Sequence, residues 1–130
     1  MRLVRTWLPV LLWAAIILSA SNDTFSSGNS QSWLSTIFGR EAAHALNVVV
    51  RKLGHVLVYA ILGILAWRAD RRMIVALAVA AIVAILDETK QSMTLLRTGS
   101  PWDVLLDLAG AWLGVTAARR FVLRRTRQSA

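Results

Sequence analysis

Asp87-Glu88-Thr89-Lys90-Gln91 closes an apolar run that begins at Ile74. Carboxylates at the end of such a run are costly to bury unless a cation or a hydrogen-bond donor meets them. The chain offers partners at helical spacing. Lys52, His55 and Tyr59 lie three and four residues apart, so on a helix they share one side. Asp87 with Gln91, and Asp103 with Asp107, are each four apart. Glu88, Arg97 and Ser100 stand beside these pairs in the chain. Lys52 and Arg97 suit a phosphate or carboxylate, Arg97 through its planar fork. Asp87, Glu88, Asp103 and Asp107 suit the orienting of those cations and the binding of hydroxyl or amine groups. His55 with a carboxylate has the makings of a general base and its orienter, and His55, Asp87 and Asp103 are one possible divalent-metal set. Neither His-Glu-x-x-His nor Gly-x-Ser-x-Gly occurs, and Ser100 is a conceivable nucleophile only through nearness to His55. No catalytic residue, metal or cofactor is assigned from these residues.

The elements that must position them are apolar blocks. Apolar residues make up 56% of the 130-residue chain, high for a water-soluble globule. They concentrate in Trp7–Ala20, Leu53–Trp67, Met73–Leu86 and Val104–Ala118. Each block falls short of the ~20 residues that cross a bilayer core, so polar helix ends must reach into the membrane shoulder. A soluble bundle of four buried helices is the alternative. It needs a solvated stripe of charge, and Met73–Leu86 has none. The expected fold is therefore all-α: one domain over 1–130, a polytopic bundle of four transmembrane helices at about 5–21, 51–68, 72–91 and 102–120.

Charge placement orients this bundle. The formal net charge is +8. Arg2, Arg5, Arg68, Arg71, Arg72, Arg119, Arg120, Arg124, Arg125 and Arg127 fall on one predicted side of the blocks. Arg40, Arg51, Lys52, Lys90 and Arg97 fall on the other, with every acidic residue except Asp70. The positive-inside rule then puts both termini and a basic tail at 119–130 in the cytoplasm, and 22–50 in an outer loop. Within that loop Trp33, Leu34, Ile37 and Phe38, roughly continued by Ala42, Ala45 and Leu46, suggest a short amphipathic helix at the interface. Met1–Ala20 has the charge and apolar pattern of a signal peptide, but Trp7, Pro9 and Trp13 suit a retained helix. The absence of cysteine excludes disulfides, thiol catalysis and a lipoprotein anchor. Gly110 and Gly114 continue the side of Asp103 and Asp107 and permit close approach of a neighbouring helix.

This topology brings Lys52, His55, Tyr59, Asp87, Glu88, Gln91, Arg97, Ser100, Asp103 and Asp107 to one depth, near the outer surface. At these residues the chain resembles the VanZ-like family of small bacterial membrane proteins. The resemblance rests on Lys52-x-x-His55 with Tyr59, Asp87-Glu88-x-x-Gln91, Arg97, Gly99-Ser100, Asp103 and Gly110-x-x-x-Gly114. It implies a multi-pass protein of the bacterial cytoplasmic membrane, and a founding member associated with low-level teicoplanin resistance. Two departures stand out. Asp107 replaces the family's usual Asn, making the site more acidic, and Met93-Thr94-Leu95-Leu96 replaces its usual Phe-x-Pro-Gly before the Arg.

Three functions compete. The favoured one is a non-enzymatic envelope protein whose outward polar pocket binds a lipid head group, a lipid-linked cell-wall precursor or a lipoglycopeptide, with acyl chains along the apolar helices. The second is a membrane-embedded enzyme acting on an envelope lipid, which three converging metal ligands would favour. The third is a small proton-coupled transporter, which a polar path past Gly63 would favour. The bilayer is the expected partner and nucleic acid is not; the oligomeric state is not assigned.

Overall fold

The computed structural model describes residues 2–20, 40–93 and 100–128. These form four helices: α1 (Arg2–Ala20), α2 (Arg40–Asp70), α3 (Met73–Ser92) and α4 (Pro101–Gln128). The closest partnership is α2 with α4. α3 packs against both, and α1 lies along α2 and touches α3.

Two boundaries differ from the sequence reading. α2 starts at Arg40 rather than near 51, so residues 40–50 are helix rather than outer loop. Residues 40–46, Arg-Glu-Ala-Ala-His-Ala-Leu, are rich in helix formers without Gly or Pro, and Glu41 complements the dipole in the first turn. α4 runs to Gln128 rather than ending near 120, so most of the basic tail is helical. Arginine is a good helix former, and nothing after Gly114 breaks the pattern. Of the proposed loop helix, Ala42, Ala45 and Leu46 belong to α2, while Trp33, Leu34, Ile37 and Phe38 lie outside the described residues.

A two-residue turn reverses the chain between α2 and α3. Arg71 adopts a left-handed φ of 61°, and its N–H donates to the Trp67 carbonyl at 2.8 Å. That closes the last turn of α2 as a left-handed helix cap does. For a residue with a Cβ this conformation costs roughly 1–2 kcal/mol. The Arg71 guanidinium lies 4.8 Å from the Trp67 ring centre, a cation–π contact that offsets part of that cost.

Side-chain size is distributed inside out. The buried core is built largely from small residues, including Ala66, Ala76, Ala80, Ala84, Ala111 and Val115, around Tyr59 and Leu62. Large apolar side chains such as Leu12, Leu57, Ile82, Leu105 and Leu113 point outward. Small interiors let helix backbones approach closely, the packing that replaces the hydrophobic effect between helices in lipid. At α2–α4 the backbones meet. A Cβ added to Gly63 would lie 2.6 Å from the Ala111 carbonyl oxygen, and one added to Gly110 2.6 Å from that of Val56. Gly114 sits closer still against Ala60.

Among the described residues, two helices are long and apolar enough to cross a membrane, through Leu3–Ala20 and Ala45–Asp70. α3 carries Asp87, Glu88 and Lys90 in its last turns, and α4 carries Asp103, Asp107 and its terminal arginines. Neither is therefore apolar along a full span.

Candidate functional site

The ends of α1 and α3 and the start of α4 share one end of the bundle, and α2, which begins well before this level at Arg40, passes them at His55. Lys90 Nζ donates to the Leu18 carbonyl at 2.7 Å, fastening the end of α3 to the end of α1. That carbonyl lies in the last turn of α1, where no intrahelical partner remains for it. Trp13 Nε1 donates to the Val58 carbonyl at 2.9 Å and fixes α1 against α2 one layer deeper.

Between these termini lies a polar cluster drawn from three helices. His55 of α2 donates from Nδ1 to Asp107 Oδ1 of α4 at 3.0 Å. Asp107 is almost completely buried, while the His55 side chain keeps 21% of its exposure. On α3, Gln91 Nε2 donates to Asp87 Oδ2 at 3.0 Å, and both residues are buried. One potential ligand atom from each of His55, Asp87 and Asp107 lies within 4.8 Å of the others. Tyr59 stacks one turn below His55, with ring centres 6.4 Å apart and planes 9° from parallel.

Glu88 serves a different contact. Its carboxylate accepts a hydrogen bond from the backbone N–H of Ser100, just before α4. The Ser100 carbonyl in turn accepts from the Asp103 N–H at 2.9 Å, opening the helix. Pro101 at the first position of α4 lacks an N–H that would otherwise go unpaired there. Glu88 thus locks the start of α4 to the end of α3 and helps set the depth of Asp107.

The remaining candidates divide. Asp103 and Ser100 are half-buried beside the cluster. Lys52 is exposed and stays outside the buried group. It shares the side of His55, but a lysine ammonium is strongly hydrated and its flexible stem carries it outward. Arg97 lies outside the described residues. Within the described residues, Asp107 rather than Asp103 completes the set with His55 and Asp87. The signal was present in the one-turn greater depth of Asp107, but spacing alone did not rank the two. The contribution of Gly63, which packs reciprocally on Ala111, was equally missed; a small residue in an apolar run was its only trace.

Below the cluster the buried side chains of the described residues are apolar, with Leu62, Ala66, Ala80, Ala84, Ala111 and Val115 filling the interior. No polar path past Gly63 runs through them.

These features define a small all-α bundle with membrane-length apolar helices and a polar cluster at one end. The VanZ/LLP1 family model matches residues 6–123, and the chain belongs to that family. No curated protein and no solved structure matches it.

Proposed function

We propose that this chain is a four-pass protein of the bacterial cytoplasmic membrane whose outward polar cluster binds the head group of an envelope lipid or lipid-linked cell-wall precursor. The observation that carries the reading is the buried meeting of His55, Asp87, Gln91 and Asp107 at one end of an otherwise apolar interior. Polar groups are expensive at that depth, so their concentration there points to a ligand. The carboxylates suit amine and hydroxyl groups of the head group. Exposed Lys52 suits its phosphate, and Arg97, outside the described residues, has the chemistry to do the same. Exposed Leu53 and Leu57 on the same helix offer an apolar track for an acyl chain. Protection against a teicoplanin-type lipoglycopeptide is the cellular role that the family resemblance attaches to this reading.

The four-pass part draws support from the outward apolar side chains on all four helices, which an aqueous surface would not favour as a continuous belt. The exposed arginines Arg68, Arg71, Arg72, Arg119 and Arg120 collect at the opposite end, as positive-inside orientation requires. Because the chain has no native cysteine, labelling is unambiguous. An impermeant maleimide should modify Ser27→Cys in intact cells and Arg127→Cys only after permeabilisation. Modification of Arg127→Cys in intact cells would reject the topology.

A second reading, an enzyme acting on an envelope lipid, draws support from the convergence of His55, Asp87 and Asp107. Native mass spectrometry of gently extracted protein addresses both readings. Wild type should retain a lipid that Asp87→Ala loses at least roughly tenfold, a difference of about 1.4 kcal/mol in binding. A lipid recovered in chemically altered form would favour the enzyme. Equal retention by wild type and variant, or none by wild type, would remove the binding site.

A further inference from the structure

We propose that His55, Asp87 and Asp107 form a binding site for one divalent transition-metal ion, with the Tyr59 hydroxyl facing it. The three residues come from three different helices, and each presents a ligand atom within 4.8 Å of the other two. An ion-pair network needs only pairwise contacts. Imidazole nitrogen and carboxylate oxygen are both zinc ligands, and three protein donors leave a coordination position open, as catalytic zinc sites do.

Tyr59 supplies an independent observation. It is 1% exposed, and its hydroxyl finds no hydrogen-bond partner among the described residues. An unmade hydrogen bond on a buried hydroxyl costs about 1–3 kcal/mol, so such groups call for an explanation. Its ring stacks on the His55 imidazole, with ring centres 6.4 Å apart, which places Tyr59 beside the cluster. A metal-bound water or the bound ion itself would satisfy it.

The donor chemistry narrows the ion. Cysteine is absent from the chain, so sites of the soft-thiolate type are excluded. Calcium takes six to eight oxygen ligands, and magnesium demands near-ideal octahedral oxygen geometry. One imidazole with two carboxylates suits Zn2+ or Mn2+ better. Tetrahedral Zn2+ with ligand bonds of ~2.0–2.2 Å sets its donors roughly 3.3–3.6 Å apart. From separations of up to 4.8 Å the donors must therefore close by up to about 1.2–1.5 Å on binding, a movement within reach of side-chain torsions. Asp107 supplies the second carboxylate of the set. An amide oxygen is a weaker metal ligand than a carboxylate, so an amide at position 107 would weaken the site.

This inference rests on the cluster being a ligand site, and not on which lipid meets it. Purified full-length protein, stripped with chelator and then loaded with Zn2+ alone, should keep about one ion per chain after desalting. X-ray absorption of the loaded wild type should show one imidazole nitrogen and carboxylate oxygens at ~2.0–2.2 Å. Asp107→Asn, which preserves side-chain volume, and Asp87→Asn should each weaken retention at least roughly tenfold. Asp70→Asn, at the far end of α2, should retain the ion as wild type does. Wild type that keeps no metal, retention undiminished in both cluster variants, or a spectrum without a histidine ligand would each overturn the site. The wild-type spectrum decides the question even if a variant fails to fold. Lipid measured in the same samples separates the two proposals. Lipid bound without metal overturns this one alone; metal bound without lipid overturns the lipid reading alone.

Discussion

Gly114→Leu should leave almost no folded protein, and even Gly114→Ala should lower stability by about 1–3 kcal/mol, the usual cost of overpacking a close contact. An added Cβ would overlap the Ala60 carbonyl oxygen and lie 2.8 Å from the Ala60 Cα and carbonyl carbon. Backbone atoms cannot rotate aside as a flexible side chain can. α2 and α4 would have to separate along the seam where Gly110 meets Val56 and Gly63 meets Ala111. That seam borders the polar cluster: Val56 follows His55, and Gly110 lies less than a turn beyond Asp107. Separation should therefore lengthen the His55–Asp107 hydrogen bond as well as loosen the core. Gly54 provides the contrast, since a Cβ there meets nothing within 4 Å. Gly54→Ala should be neutral or stabilise by up to about 1 kcal/mol, through helix propensity. Reversible unfolding in detergent micelles measures both. A Gly114→Ala protein as stable as wild type would show that the helices do not meet on this seam.

Removal of His55 should be the costliest single change within the cluster, at about 3 kcal/mol. Asp107 is 1% exposed, and His55 supplies its hydrogen-bond donor across the helices at 3.0 Å. His55→Ala leaves that buried carboxyl without its donor and beside the carboxylate of Asp87. The loss of a neutral buried partner costs about 1–3 kcal/mol, and the loss of one member of a buried ion pair about 3–5. Asp107→Asn keeps the shape and a carbonyl acceptor for the imidazole, so it should cost less than about 1 kcal/mol. The double variant His55→Ala/Asp107→Ala should cost less than its two single variants added together, by at least about 1 kcal/mol, because the second change removes the stranded group. Additive penalties would mean that the pair is not coupled and that each residue serves its own helix.

Much of this was legible in the chain. The apolar blocks marked the four helices; α1 ends at Ala20, where hydrophobicity gives way, and α3 ends at Ser92, next to the expected 91. The i,i+4 spacing of Asp87 and Gln91 is realised as a hydrogen bond on one helix, because fourfold spacing on an α-helix sets side chains one turn apart. The extension of α2 to Arg40 and of α4 to Gln128 was less legible. A search for apolar blocks sees where hydrophobicity stops, whereas a helix stops where hydrogen bonding or a breaker residue stops it.

By itself, the sequence determined which residues share a helix side, which end of each helix carries charge, and therefore which groups stand at a common depth. The tertiary structure decided which of them touch. Helical periodicity defines angles around one axis but not the rotation of one helix against another. Here that rotation is set by the glycine seam of α2 and α4, by the Glu88 contact to the Ser100 backbone, and by Trp13 and Lys90 holding α1. Those contacts turn Asp107 onto His55 and bring Asp87 alongside, while Lys52, only three residues before His55, remains exposed outside the cluster. Which polar side chains enter the low-dielectric interior follows from that geometry, since burial is favourable only where a partner is already in place.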